Sequence, residues 1–265
     1  MVKRDEGIED LSEFAFEVIR RSGEEALAYY GKGSPDAKFD EGLVTEAELH
    51  LGDFFRDRLF ANFPDHQVYR NEEREAGYSH GGKRYLWVYD AVDGVANFQA
   101  GIPIWGTSLA LLENFWPVLG VFYMPVTGDL FHAGAGKKAF RGERQIRISP
   151  QEEINDESLL LTYSRFHERY RSTFPGKIRA LGCTAAHICY VAMGRAEAAL
   201  LAYESYKDLA AAAVIMEAAG GKIFKMDGTE FFLGDYVDGR RIEDHLLAVA
   251  PDKHQEVRGF LVEAQ

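Results

Sequence analysis

Asp90 and Asp93 lie three positions apart with Gly94 directly behind them, at the end of the apolar run Tyr85-Leu86-Trp87-Val88-Tyr89. Carboxylates at a strand end offer hard oxygen donors, and a glycine behind them frees backbone N–H groups to face an anion. That combination suits Mg²⁺, which is held by a few carboxylates together with substrate phosphate. The same residues also read as an ordinary acidic turn, and a motif this short does not separate the two. Two further acidic positions can join them. Glu72, in Asn71-Glu72-Glu73, follows a short strand expected at 67–70, and Asp208 opens the alanine-rich stretch Leu209-Ala210-Ala211-Ala212-Ala213. Aspartate is a favoured helix N-cap, so capping is the ordinary role for Asp208. The small residues behind it require a helix that packs very closely on a neighbour, which also fits a helix end pressed against an active site.

The elements that must position these groups follow from periodicity. Apolar spacing predicts helices over 8–29 and 46–63, with a polar loop over 38–45 between them. Strands are expected at 85–89, 106–113, 117–124 and 129–133, punctuated by Asn114 and Gly128, with a further hairpin ending at 146–148. After a boundary at 150–156, strands and helices alternate. Strands are expected at 159–162, 177–181, 198–202, 222–224 and 246–250, and helices at 168–174, 184–193, 208–219 and 253–263. Such alternation predicts α/β architecture. The chain divides into 1–149, carrying the acidic loop, and 150–265, carrying Asp208, the two forming one compact unit.

Composition narrows the function classes. The 265 residues are 46% hydrophobic and 13% aromatic, enough for a large core. A formal net charge of −12 disfavours nucleic acid and anionic membranes as partners. It also means that a phosphorylated substrate needs local cations or N–H groups. The two cysteines, Cys183 and Cys189, exclude a disulfide scaffold and read as buried thiols in a reducing, cytoplasmic setting. The polar N-terminal stretch is unlike a signal region, and no apolar run approaches the roughly 18 residues of a membrane helix. The histidines are too scattered for a zinc site. His187 reads as pocket-lining or packing, Trp105 and Trp116 as core or surface aromatics, and Lys38 as a solvated loop residue or a phosphate contact.

In these motifs the chain resembles the inositol monophosphatase family of metal-dependent phosphatases. The resemblance is carried by Trp87 to Phe98 with Gly101-Ile102-Pro103, by Asp208 to Gly221, by Gly182-Cys183-Thr184-Ala185-Ala186 and by Leu43-Val44-Thr45, in the family's order. It implies a layered αβαβα sandwich of mixed α+β and α/β type. It implies that Glu72, Asp90 and the Val92 carbonyl hold one Mg²⁺, and Asp90, Asp93 and Asp208 a second, with a third ion sharing Glu72. Mn²⁺ as a substitute and Li⁺ as an inhibitor follow from the same resemblance. Gly94, Val95 and Ala96 would cradle the phosphate, with Gly182, Cys183, Thr184 and Asp208 beside the substrate. The implied reaction is attack of a metal-activated water on phosphorus, on a small phosphorylated polyol, sugar or nucleotide, by a homodimer.

The departures from the family pattern bear on chemistry. Val95 stands where the family has a threonine whose hydroxyl helps to activate the water, and Glu48 stands where its partner aspartate belongs. Glu48, or Glu73, can take over that task. Ala91 replaces a proline. Lys207 replaces a tryptophan and reads as solvated, or as touching substrate or the acidic cluster. Leu201 stands where animal-type relatives place a glutamate on the inositol hydroxyls, leaving Tyr203, Glu204, Ser205 and Tyr206 to shape a different pocket. These changes leave two readings: an active phosphomonoesterase with an altered water-activating pair, or an impaired relative that binds metal and phosphorylated ligand without efficient turnover.

Overall fold

The computed structural model describes residues 7–33, 41–69, 84–149 and 153–264. Helix α1 (Ile8–Ala26) is followed by α2 (Glu41–Asn62), which begins within the expected polar loop and so takes up Val44 and Thr45. Then come β1 (Gln67–Val68), β2 (Tyr85–Asp93), the short helix α3 (Val95–Ala100), β3 (Gly106–Glu113), β4 (Trp116–Met124), β5 (Asp129–Gly134), β6 (Ala139–Arg141) and β7 (Arg144–Ile146). These seven strands form one sheet in sequence order, antiparallel except for β1 on β2.

The remaining elements build the layers on the other side of this sheet. They are β8 (Leu159–Thr162), α4 (Phe166–Arg169), β9 (Tyr170–Ser172), β10 (Lys177–Arg179), α5 (Thr184–Ala192), β11 (Ala198–Leu201), α6 (Tyr206–Ala218), β12 (Lys222–Lys225), a 3₁₀ turn (Leu233–Tyr236), β13 (Leu246–Val249), α7 (His254–Gly259) and β14 (Leu261–Glu263). A five-stranded sheet runs in the order β10-β8-β11-β13-β12. Two expected helices are shorter than their patterns suggest. Residues 170–172 and 261–263 instead pair as antiparallel strands β9 and β14. Each is an exposed-edge segment that gains backbone partners only through the other, a pairing that local periodicity does not reveal.

The layering is α1 and α2, the large sheet, α5 and α6, the five-stranded sheet, then α7 with the β9–β14 ribbon. Alternation along β2 sorts its side chains. Tyr85 and Trp87 pack with Leu11, Ile19, Phe55 and Leu59 of α1 and α2. Leu86 and Val88 pack on the other face with Tyr206, Ala210 and Ala211 of α6. The alanines of α6 serve close approach: a Cβ on Gly120 of β4 would come within 2.3 Å of the Ala211 carbonyl oxygen. Helix and sheet therefore meet with no intervening side chain at that point, and this brings the N-terminus of α6 down to the end of β2.

Candidate active site

Asp90 continues the alternation of Leu86 and Val88 and so faces α6. Asp93 would fall on the opposite face at a spacing of three, but β2 does not end at Tyr89; it runs on through a one-residue bulge. Asp90 pairs with Ser108 and Asp93 with Gly106, with the register shifting between them. Ser108 and Gly106 are two apart on β3, so the bulge returns Asp93 to the face of Asp90. Bulges next to active sites re-aim side chains in this way. Ala91 and Val92, within the bulge, are buried with Ala47, Leu51, Phe98 and Trp105.

Asp93 reaches the N-terminus of α5. It accepts hydrogen bonds from the backbone N–H of Thr184 (3.1 Å) and Ala185 (2.6 Å) and from the Cys183 thiol (3.2 Å). Burial and the neighbouring Asp90 carboxylate nevertheless push its pKa up to about 7. The Cys183 thiol is pushed up well above its ordinary value by burial and by Asp93, so it serves as a neutral donor.

Asp208 is not the N-cap of α6. That position belongs to Ser205, and Asp208 is the third residue of a capping box, accepting from the Ser205 N–H at 2.7 Å. Its pKa is raised by burial and by Asp90. Glu48 projects from α2 toward the same place. Its pKa is raised by burial and by Asp90 and Asp208, and lowered in part by Lys207. Glu204 is the carboxyl group that sequence reasoning did not single out by itself. It is 7% exposed, accepts from the Thr184 hydroxyl at 2.9 Å, and has its pKa raised well above normal by burial, Asp208 and Asp93. The sequence named it only among the residues that could shape a pocket, with Tyr203, Ser205 and Tyr206.

Lys207 is not solvated. Its Nζ lies 2.8 Å from Asp90 Oδ1, with side-chain exposures of 29% and 3% for the pair. Asp90 first, and then Glu48 and Asp208, hold the ammonium in its charged form, raising its pKa against the cost of burial. Helical geometry explains the placement: Lys207 precedes Asp208 on the first turn of a helix pressed against β2, so its arm has the end of that strand within reach.

The loops around the cluster are tightly fitted. Gly94 has φ +89°, and a Cβ there would lie 3.0 Å from Cys183 Cβ and 3.0 Å from the Ile104 carbonyl oxygen. Asn97 donates from Nδ2 to the carbonyls of Ile104 (2.7 Å) and Leu181 (2.6 Å), tying the loop after β2 to the loop before α5. Gly182 has φ +76°, and a Cβ there would lie 3.0 Å from Asn97 Nδ2. Gly94→Ala is therefore expected to destabilise the protein by about 1–3 kcal/mol through left-handed backbone strain and contact. Urea unfolding would show this, and an unchanged midpoint would contradict the geometry. Val95 is partly buried and Ala96 exposed in the first turn of α3.

His187 is a packing residue. Its Nε2 accepts the Leu181 N–H at 2.9 Å, and burial lowers its pKa to about 4. The folded state then holds it neutral while the unfolded chain protonates near its ordinary 6.5. Between those values the unfolded state binds more protons, so stability falls as pH drops from about 6.5 to about 4, by up to about 3 kcal/mol. In His187→Gln, which keeps an acceptor but does not titrate, that part of the acid sensitivity is expected to vanish from denaturation curves across the window.

Leu201 is fully buried in the central core, and Trp105 is likewise buried, while Trp116 is 77% exposed. Cys183 and Cys189 are free, buried thiols. Glu72, Glu73 and Lys38 lie outside the described residues, so the structure places Glu48, Asp90, Asp93, Glu204, Lys207 and Asp208 together without them.

The donor set fits a hard divalent cation in kind. It is all oxygen, largely buried, and its carboxylates raise one another's pKa, the mark of repulsion that a cation relieves. As they stand, the oxygens are engaged by protein donors, and among the described residues no three His, Cys, Asp or Glu side chains are grouped to hold a metal ion. The feature that does not fit is the ammonium of Lys207 on Asp90.

Comparison with known proteins agrees with this arrangement. The model of the "Inositol monophosphatase family" matches residues 8–259. A histidinol-phosphatase of Chlorobaculum parvum is 31% identical over 228 residues, 82% of this chain and 86% of the relative. Inositol monophosphatase 1 of Solanum lycopersicum is 32% identical over 237 residues, 84% of each. The solved structure of a Thermotoga maritima IMPase superposes with a TM-score of 0.76 at 25% identity, covering 95% of this chain and 96% of that one. With the layered sandwich and the converging carboxylates, these matches show that the chain belongs to the inositol monophosphatase family, a family of phosphoric monoester hydrolases.

Proposed function

We propose that the protein is a Mg²⁺-dependent phosphomonoesterase that hydrolyses a small phosphorylated polyol, sugar or nucleotide by direct attack of water on phosphorus. The observation that carries this reading is that Glu48, Asp90, Asp93 and Asp208, brought in by α2, β2 and α6, lie near enough to perturb one another's charge. Asp90, Asp93, Asp208 and the Val92 carbonyl, with Glu72 from outside the described residues, would hold the cations. Bound Mg²⁺ supplies charge neutralisation for the phosphoryl oxygens and lowers the pKa of a water. Glu48 orients the attacking water and takes its proton; its raised pKa suits a base working nearer neutrality. The N–H groups after Gly94, at Val95 and Ala96, orient the phosphate. Gly182, Cys183 and Thr184 keep the facing wall closed and hold Asp93 in place.

The pocket beyond the phosphate differs from one built on an inositol-binding glutamate, because Leu201 points into the core. Glu204, held by the Thr184 hydroxyl, is the carboxyl group at this end of the site, while Tyr203 packs away from it on Tyr163 and His245. The partners are that phosphorylated metabolite and, by resemblance to the family, a second copy in a homodimer. No helix among the described residues is long and apolar enough to cross a membrane. The test is phosphate release from a panel including inositol monophosphate, histidinol phosphate, fructose 1,6-bisphosphate and 3′-phosphoadenosine 5′-phosphate, with and without Mg²⁺. No Mg²⁺-dependent release from any ester would overturn the reading.

A second reading, an impaired relative that binds without efficient turnover, is favoured by two observations: Val95 has no hydroxyl, and Lys207 occupies Asp90. Under it, Val95→Thr raises kcat by about 10²-fold or more, the scale of a restored proton-handling group. Under the first reading Glu48 already does that work and the change is less than about tenfold. Single-turnover kinetics on both proteins separate them.

A further inference from the structure

The ammonium of Lys207 pairs with one carboxylate of the cluster and lies within the electrostatic reach of two more. It contacts Asp90 Oδ1 at 2.8 Å and faces Glu48 and Asp208. Asp208 is pinned by its capping bond to Ser205, and Asp93 is pinned by α5, so neither can swing away to relieve repulsion. Asp90 is 3% exposed in its side chain and cannot turn to water. Repulsion in a cluster of this kind is relieved by positive charge at its centre, from a divalent ion or from a side chain, as well as by proton uptake.

We propose that Lys207 is a tethered cation that competes with a divalent ion for Asp90. The lysine holds the acidic cluster together in the metal-free protein, and metal must displace it from Asp90 to bind there. The proposal rests on reading Asp90 as a cation ligand, but not on turnover. Its chemistry is simple exchange: one ammonium–carboxylate contact is lost as one divalent ion–carboxylate contact is made, with the ammonium released toward the partly open side of the site.

The experiment is a Mn²⁺ binding isotherm by equilibrium dialysis on the wild-type protein, Lys207→Met and Lys207→Arg, with thermal midpoints in EDTA and in Mn²⁺. In Lys207→Met, Mn²⁺ is expected to bind at least about tenfold more tightly at its Asp90 position, since the competing charge within contact distance is gone. The same variant should melt lower in EDTA and recover in Mn²⁺, whereas Lys207→Arg should keep the wild-type isotherm. Superimposable isotherms for wild type and Lys207→Met would overturn the proposal. So would an Arg variant that behaves like the Met variant, because shape rather than charge would then be at work. Should Lys207→Met fail to accumulate, the double variant with Asp90→Asn removes both charges and is expected to fold; its failure would also overturn the proposal. Absence of phosphate release beside a tenfold shift in Mn²⁺ affinity would sink the phosphatase reading and leave this one standing.

Discussion

Asp90→Asn is expected to lower Mg²⁺-dependent phosphate release by at least about a thousandfold, because it removes the anionic oxygen shared by the cation positions, a contribution of several kcal/mol. Asparagine keeps the shape and one acceptor, so the fold survives. In the metal-free protein the same change leaves Lys207 without its closest counter-charge. A fully buried pair broken on one side costs about 3–5 kcal/mol; with Lys207 retaining 29% exposure, about 1–2 kcal/mol is the fitting scale. Phosphate release and urea unfolding in EDTA test the two halves of this prediction separately. Turnover within tenfold of wild type would remove Asp90 from the site, whatever the stability result.

Glu48→Gln is expected to lower kcat by about 10²–10⁴ while changing KM little, since a general base acts in the transition state and not in ground-state binding. The structure gives this a pH signature. Burial raises the Glu48 pKa most strongly; the Lys207 ammonium opposes it, and Asp90 and Asp208 add to the rise. A base must be deprotonated to work, so the acidic limb of the wild-type kcat profile is expected above the ordinary carboxylate value of 4.5, with activity rising through it as pH increases. In Glu48→Gln that limb should flatten. A profile that keeps its acidic limb in the Gln variant would assign the proton transfer to another group, and Glu73 is the next to replace.

These residues also show which parts of the protein are written locally. The acids Asp90, Asp93 and Asp208 were legible as candidates because each sits in a short-range pattern: an apolar run, a glycine behind acids, a helix of alanines; the family and its layered fold came from the resemblance those separated motifs carry. Most strands were located for the same reason, since alternation and turn residues lie within a few positions of one another. The one-residue bulge was not legible. Nothing between Asp90 and Asp93 marks it, and it exists only as a register difference against Ser108 and Gly106 on another strand. Without it the two acids would lie on opposite faces of the sheet.

Lys207 and Glu204 make the same point energetically. In the sequence a lysine beside an aspartate is most simply a solvated charge, and Glu204 is one of four residues, with Tyr203, Ser205 and Tyr206, that could shape a pocket. Both judgements change because Gly120 lets α6 sink onto the sheet, bringing its first turn to the end of β2. The sequence by itself determined the candidate acids and their order along the chain, and its resemblance to a family pointed to the fold. Tertiary structure alone decided which carboxylates share one low-dielectric space and which cation already sits among them, because burial and charge proximity are set by contacts between segments more than a hundred residues apart.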